Sequence, residues 1–271
     1  MPLNQSLVGK RFPPPAPVTI SASDADAFAR ATNAHVVDGC APPMLAVTWG
    51  LPAIGAVLFD PVLGVDMMRL LHSEHDVRFG NPVLADDVIV SNATIDAIET
   101  SAAGEFLMVR VTSTNTRGTM VADALARIFI RGPRQRAPRI ENAADADDPF
   151  LALPARFSTD VVVTDDQAHR YADASGDHNP IHLDEDAARQ AGLPGCILHS
   201  LCTMAFVHNA VTQAAAGSAR VRRLRVRFER PVLIGDTLTI DGRTNGDGTI
   251  ALRVCNQIGA TVIDDGVAEL G

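Results

Sequence analysis

Residues 77–87 read VRFGNPVLADD, and residues 226–236 read VRFERPVLIGD. Seven of these eleven positions are identical at a single offset. A second similarity lies upstream of each copy, where DADAFARAT (24–32) resembles DQAHRYADAS (166–175). Two similarities that recur in the same order are the signature of an internal repeat, so the sequence predicts a duplicated domain.

The segment between the two copies has the composition of a linker. Residues 134–150 are rich in Pro, Arg, Asp and Ala, show no apolar period, and change charge sign midway. We therefore expect an N-terminal domain over residues 1–133 and a C-terminal domain over 151–271. A length of 271 residues allows either one domain or two, and the repeat favours two.

Each copy has the same order of predicted elements. A polar helix, opened by Ser23 or Thr164, precedes an apolar helix predicted at 44–58 or 200–214. The strands of the two copies are predicted at 18–20, 74–80, 88–97, 105–115 and 119–130, and at 161–163, 220–229, 237–243, 249–256 and 260–268. An apolar helix followed by four strands buries itself by lying across an antiparallel sheet, so the predicted fold class is α+β, twice.

Composition and charge exclude several classes of protein. The chain is 46% hydrophobic and 20% charged, which indicates a packed core rather than disorder. A formal net charge of −9 argues against nucleic acid or an anionic membrane surface as a partner. The four cysteines form no C-x-x-C pair and the N-terminal residues lack an apolar signal core, so we expect a cytoplasmic protein.

The least ordinary stretch is SGDHNPIH at residues 175–182. Gly176 and Pro180 are incompatible with a helix interior, so this stretch is predicted to be a loop between two helices. Such a loop can hold Asp177 and His182 side by side. A carboxylate next to an imidazole can bind and deprotonate a water molecule near neutral pH, or return the proton. The pair therefore predicts proton-transfer chemistry.

The string that contains this pair resembles the hydratase motif of the MaoC-like, or enoyl-CoA hydratase 2, family. That motif reads Tyr-Ala/Ser-x-x-Ser/Thr-Gly-Asp-x-Asn-Pro-x-His. Its fixed positions correspond here to Tyr171, Ala172, Ser175, Gly176, Asp177, Asn179, Pro180 and His182. Downstream, ILHSLCT at 197–203 is similar to the ILHGLCT of the hydratase part of peroxisomal multifunctional enzyme type 2, with Ser200 in place of the usual Gly.

The resemblance implies a double hot-dog fold in which the second copy carries the motif and the first is degenerate. The first copy reads AHVVDG at 34–39 and has no Asp-x-Asn-Pro-x-His. The implied activity is that of a hydro-lyase of fatty acid metabolism, which reversibly hydrates trans-2-enoyl-CoA to (3R)-hydroxyacyl-CoA. We expect a homodimer, with the acyl chain on the side of the first copy near Leu45 and Trp49.

The resemblance also implies roles for individual residues. Asp177 and His182 would hold the water and handle the α-proton, and Asn179 would fix the loop or contact the water. Backbone N–H groups at the start of the 200–214 helix would stabilise the thioester oxygen. Substrate-binding roles are expected for Gly195, His199, Ser200, Arg222 and Arg223, with ordering of the loop or capping of the helix region as the alternative for His199. No metal or redox cofactor is required, although Asp177, His178, His182 and Asp184 form a weaker alternative set of metal ligands.

Several alternatives remain open at this stage. The same motif fits a dehydratase acting on acyl-carrier-protein thioesters, and the fold also fits a non-catalytic subunit that binds acyl thioesters. A hot-dog thioesterase is disfavoured because the 200–214 helix carries no carboxylate. The arginines around 220–227 alternate with apolar residues, so they fit a solvated strand face as well as contacts to coenzyme A phosphates. Cys202 is predicted to be a buried structural thiol.

Overall fold

The structure is a computed structural model that describes residues 2–35, 39–132, 148–217 and 219–271. The chain divides into two compact units, the first comprising Met1–Ala29 with Val36–Ala137 and the second Arg30–His35 with Pro138–Gly271. Most of the predicted linker, residues 134–147, lies outside the described residues.

The first unit is built on an antiparallel sheet. Its strands are β1 (Arg11–Phe12), β2 (Val18–Thr19), β3 (Leu70–Phe79), β4 (Val88–Ser101), β5 (Gly104–Asn115) and β6 (Met120–Arg131). They are arranged in the order β1-β4-β5-β6-β3, and β2 pairs with β4. Three helices, α1 (Ala22–Thr32), α2 (Leu45–Thr48) and α3 (Leu51–Leu58), lie in the same half of the sequence.

The apolar helix predicted at 44–58 is interrupted between α2 and α3. Pro52 has no N–H to donate and its ring is incompatible with a continuous helix, which explains the break at Trp49 and Gly50. The second piece packs its buried Ala53 and Val57 in the core formed with β4, β5 and β6. Leu45 and Trp49 are also buried, and the idea that they border an acyl chain stays a prediction.

The start of α1 differs slightly from the sequence prediction. Ser21, rather than Ser23, caps the helix, because its hydroxyl accepts the N–H of Asp24 at 3.1 Å while the Asp24 carboxylate accepts the N–H of Ser21 at 3.0 Å. This reciprocal pair is a capping box, shifted by two residues from the serine that we expected.

The second unit repeats this plan. Its strands are β7 (Ala155–Val162), β8 (Val221–Phe228), β9 (Thr237–Thr244), β10 (Ile250–Asn256) and β11 (Thr261–Leu270), in the antiparallel order β8-β11-β10-β9-β7. Its helices are α4 (Pro149–Ala152), α5 (Gln167–Ser175), α6 (Glu185–Gln190) and α7 (Ser200–Ala214). Helix α7 confirms the predicted helix at 200–214, and all its residues from Leu201 to His208 are buried, as expected for a central helix.

The duplication is confirmed at the level of single hydrogen bonds. The N–H of Leu84 donates to the Asp87 carboxylate at 3.1 Å, and the N–H of Leu233 donates to the Asp236 carboxylate at 2.9 Å. Two main-chain bonds also have counterparts in the repeat. The N–H of Ala41 donates to the carbonyl of Val83, as that of Leu198 does to Val232. The N–H of Ile20 donates to the carbonyl of Asp87, as that of Val163 does to Asp236. The conserved spacing of the two repeats therefore encodes the same turn in each unit.

Candidate active site

The motif loop leaves α5 at Gly176, whose left-handed backbone (φ 76°) ends the helix. Polar side chains then hold the backbone of the loop. The Ser175 hydroxyl accepts the N–H of Asp177 at 3.2 Å, the Asp177 carboxylate accepts the N–H of Asn179 at 3.2 Å, and the Asn179 amide oxygen accepts the N–H of Ile181 at 3.3 Å. Each bond spans two residues, as in an Asx turn. Asn179 is thus placed to fix the loop.

His182 is buried and held in one orientation. Its Nδ1–H donates to the carbonyl of Ile197 at 2.8 Å, and 8% of the residue is exposed. Burial lowers the pKa of His182, and the bond to Ile197 and the charge of Asp177 oppose that change. With the proton on Nδ1, the neutral ring presents Nε2 as a proton acceptor.

His199 lies against His182. The two rings stack with centroids 3.8 Å apart, and Nε2–H of His199 donates to the backbone carbonyl of Asp177 at 2.9 Å. Tyr171 contacts the His199 ring at a centroid distance of 4.8 Å. Burial, followed by the proximity of His182, lowers the pKa of His199 to about 4, so this ring is neutral at pH 7.

Three of the expected site residues therefore converge. Asp177, His182 and His199 each offer one ligand atom, and these atoms lie within 4.8 Å of one another. A water molecule at about 2.8 Å from two such atoms can bridge them. The same three groups could hold a metal ion. The metal set proposed from the sequence differs, since Asp184 caps α6 through the N–H of Ala187 and His178 is exposed.

The segment before α7 is fixed by bonds to three other parts of the second unit. The N–H of Cys196 donates to Glu185 at 3.2 Å, that of Ile197 to the carbonyl of Ile181 at 3.3 Å, and that of Leu198 to the carbonyl of Val232 at 2.8 Å. A Cβ atom at Gly195 would lie 3.3 Å from the Glu185 carboxylate, so the segment passes close to α6. His199 then precedes α7, and Ser200 is its first residue.

Three arginines of β8 form ion pairs with acidic residues. Arg223 forms an ion pair with Glu269 at 2.8 Å, and Arg225 and Arg227 form ion pairs with Asp265 and Glu229 at 3.1 and 2.7 Å. Arg222 is exposed. These contacts are typical of a solvated strand face, and the substrate-binding role of Arg222 and Arg223 stays a prediction.

Cys202 is fully buried in α7, and burial raises the pKa of its thiol. The prediction of a structural thiol is confirmed in this respect, because a nucleophilic cysteine needs a lowered pKa and partial exposure.

Two site features were missed by sequence reasoning. One is the carbonyl of Ile197, which fixes the tautomer of His182, and the other is Glu185, which holds the segment before α7. A backbone acceptor has no sequence signal of its own. Glu185 follows Asp184, a helix-capping residue, and this pattern could have indicated the short helix α6.

Both halves of the chain match a known family profile. The profile of the MaoC like domain matches residues 151–265, and that of the FAS1-like dehydratase domain region matches residues 6–124. The chain is 30% identical over 268 residues to 3-hydroxyacyl-thioester dehydratase Y of Mycobacterium tuberculosis, covering 93% of this chain and 89% of the relative. It is 27% identical over 236 residues to the probable enoyl-CoA hydratase 2 of Dictyostelium discoideum, covering 83% and 79%.

Solved structures share the fold. A MaoC-like dehydratase from Phytophthora capsici superposes with a TM-score of 0.80 at 20% identity and covers 99% of this chain and 98% of its own. A Mycobacterium tuberculosis protein described as a double hot-dog superposes with a TM-score of 0.65 at 15% identity, covering 97% and 96%. The expected double hot-dog fold is therefore confirmed. No helix in the described parts of the chain is long and apolar enough to cross a bilayer.

Proposed function

Since the chain belongs to the family of MaoC-like dehydratases and enoyl-CoA hydratases 2, we propose that it reversibly hydrates trans-2-enoyl-CoA to (3R)-hydroxyacyl-CoA. Hydratase or dehydratase chemistry on thioesters follows from the family. The observation that supports the specific proposal is the convergence of Asp177 and His182, whose polar atoms lie within 4.8 Å in a braced loop.

The proposed reaction uses these two groups to add one water molecule. The Asp177 carboxylate and Nε2 of His182 hold the water, and the imidazole takes one of its protons while the oxygen bonds to the β-carbon. The electrons of the double bond move to the thioester oxygen to give an enolate. The imidazolium then returns the proton to the α-carbon, so both groups end in their starting state. Dehydration is the same sequence reversed.

The enolate oxygen needs a donor while it is negatively charged. The first turn of α7 follows His199 directly, and the first N–H groups of a helix have no partner within that helix. These groups, together with the positive end of the helix dipole, would stabilise the oxygen. Replacement of the family Gly by Ser200 retains an N–H at this place.

A second candidate differs only in the carrier of the acyl group. The relative from Mycobacterium tuberculosis is named a 3-hydroxyacyl-thioester dehydratase, a name that does not specify coenzyme A. The same Asp177 and His182 chemistry would serve a thioester of acyl carrier protein. The coenzyme A thioester is therefore the first candidate substrate, and the acyl-carrier-protein thioester is the second.

The test is direct. Crotonyl-CoA and longer trans-2-enoyl-CoAs are incubated with the protein, and hydration is followed as loss of the absorbance of the conjugated double bond. We expect turnover, and chiral analysis should give the (3R) alcohol. Matched acyl-carrier-protein thioesters assayed in parallel decide the carrier. Absence of turnover with both carriers would refute the proposal in favour of a non-catalytic binding subunit, and a mainly (3S) product would contradict the hydratase 2 assignment.

A further inference from the structure

The two buried histidines of the site link the motif loop to the segment before α7. Each histidine lies on one of these segments and donates a hydrogen bond to a backbone carbonyl of the other. His182, from the motif loop, donates Nδ1–H to the carbonyl of Ile197 in the segment before α7. His199, from that segment, donates Nε2–H to the carbonyl of Asp177 in the motif loop. We call this reciprocal pair of bonds the histidine clamp. It joins positions 15 and 22 residues apart in the sequence.

From this geometry we propose that His199 is a positioning residue for Asp177 and His182 rather than a residue that binds the substrate. The inference rests on the proposed function for its kinetic consequences. Its structural basis is the bond of His199 to the Asp177 carbonyl together with the stack of the His199 ring on His182.

The bond to the carbonyl restrains the backbone from which the Asp177 carboxylate projects. The N–H of Asp177 already donates to the Ser175 hydroxyl, and its Oδ1 accepts the N–H of Asn179. With the carbonyl also held by His199, the peptide groups on both sides of Asp177 are restrained. One carboxylate oxygen of Asp177 lies within 4.8 Å of a ring nitrogen of His182 and of one of His199, so the restrained backbone keeps the carboxylate close to both rings.

The face of the His199 ring packs against the ring of His182. The stacked rings are 27° from parallel, and Tyr171 packs on the His199 ring. His199 is 2% exposed, and its Nδ1 has no hydrogen-bond partner among the described residues. An imidazole with one proton, placed on Nε2, satisfies this arrangement. The ring therefore supports His182 without placing a second charge beside it.

Two substitutions distinguish a positioning role of His199 from the role of an ordinary buried histidine. Glutamine can place an amide N–H near the position of Nε2 and so retain the donor, whereas phenylalanine keeps a flat ring and loses the donor. His208, buried within α7, receives the same two substitutions as a matched control.

The kinetic expectation is a change in kcat with little change in KM. His199→Phe should lower kcat by about tenfold or more and leave KM within about threefold of the wild type. A tenfold change in rate corresponds to the free energy of about one hydrogen bond. His199→Gln should keep kcat within about threefold of the wild type because the donor is retained. The His208 variants should keep kcat close to the wild type. A wild-type kcat in His199→Phe, or a rise in KM as the main effect, would overturn the proposal.

Hydrogen exchange tests the clamp independently of activity. We expect the backbone N–H groups of residues 176–179, 181 and 182 to exchange faster in His199→Phe than in the wild type, and to exchange as in the wild type in His199→Gln and in the His208 variants. Unchanged exchange in His199→Phe would overturn the proposal, even if the wild type hydrates enoyl thioesters normally. Conversely, a wild type without any hydration activity would refute the proposed function while the exchange data still decide whether the clamp exists.

Discussion

His182 is the residue on which the proposed chemistry depends, and its surroundings set the pH at which it works. Burial lowers its pKa below the usual 6.5, while the charge of Asp177 raises it. A base must be neutral to accept a proton, so kcat/KM should fall on the acid side as pH drops through the pKa of His182. We expect the midpoint of this decline to lie below pH 6.5. A midpoint above pH 7 would contradict the burial argument.

The contribution of Asp177 to this pKa can be measured separately by NMR titration of the His182 ring. Loss of the carboxylate charge in Asp177→Asn removes the influence that favours the imidazolium. The pKa of His182 should therefore be lower in the variant than in the wild type. An unchanged pKa would show that the two side chains do not interact in solution.

Substitution of either proposed catalytic residue should abolish most of the turnover. Asp177→Asn retains the size of the side chain but loses the charge, and His182→Ala removes the base, so each should lower kcat by at least about a hundredfold with the fold intact. The exposed His169 of α5 provides the control, and His169→Ala should have wild-type kinetics. Near-normal kcat in the two site variants would refute the assignment.

The site was only partly predictable at this scale. The order of residues from Asp177 to His182 and the fixed geometry of Pro180 were enough to predict a carboxylate beside an imidazole. The hydrogen-bond partner of each imidazole could not be predicted. Both partners are backbone carbonyls, those of Ile197 and Asp177, and every residue type has a backbone carbonyl. Only the folded chain decides which carbonyl is within reach.

At the scale of elements, the repeated turn before β4 and β9 gives a test that needs no substrate. Asp86 has φ 69° and Gly235, its counterpart in the repeat, has φ 87°. This left-handed region costs about 1 kcal/mol for residues with a Cβ atom. Asp86→Gly should therefore raise the free energy of unfolding by about 0.5 kcal/mol, and Gly235→Ala should lower it by about 1 kcal/mol.

Chemical denaturation measures both changes. Apart from Gly235 and its two neighbours, no atom of the described residues lies within 4 Å of a Cβ built on Gly235, so the cost of Gly235→Ala is conformational rather than steric. Gly246 offers the matched control, because it also has open space around it but not a positive φ. Equal effects of alanine at Gly235 and Gly246 would show that the backbone conformation is not the cause.

Element boundaries were predictable where burial produced a pattern. Helix α7 and strand β10 follow their apolar residues closely. Strand β7 begins at Ala155, whereas only 161–163 was predicted; its residues alternate between half-buried and exposed, but none is buried, so the apolar signal is weak. Its extent is set by pairing with β9. Helix α6 was not predicted, because six residues give too short a period to detect.

The two halves of the molecule differ in what their repeated positions can do chemically. The main-chain bonds of Ala41 and Leu198 are equivalent, so Pro42 stands where the second copy has His199, and Pro43 stands where it has Ser200. A proline nitrogen carries no hydrogen. The helix start of the first copy therefore lacks both the imidazole of the clamp and the N–H that would face a thioester oxygen.

The first copy also lacks a carboxylate at the position equivalent to Asp177. Asn33 and Gly176 both have positive φ values, 56° and 76°, at the end of the repeated helix. The next residue is Ala34 in the first copy and Asp177 in the second. Neither the carboxylate of Asp177 nor the N–H of Ser200 is thus retained at the corresponding positions of the first copy.

This difference predicts one active site per chain rather than two. Calorimetric titration of the Asp177→Asn variant with trans-2-octenoyl-CoA, which this variant should bind without turnover, is expected to show one equivalent bound per chain. Two equivalents would contradict the degeneracy of the first copy. Binding that persists in the variant while hydration is lost would also separate recognition of the thioester from the chemistry of Asp177, since the donors at the start of α7 are unchanged.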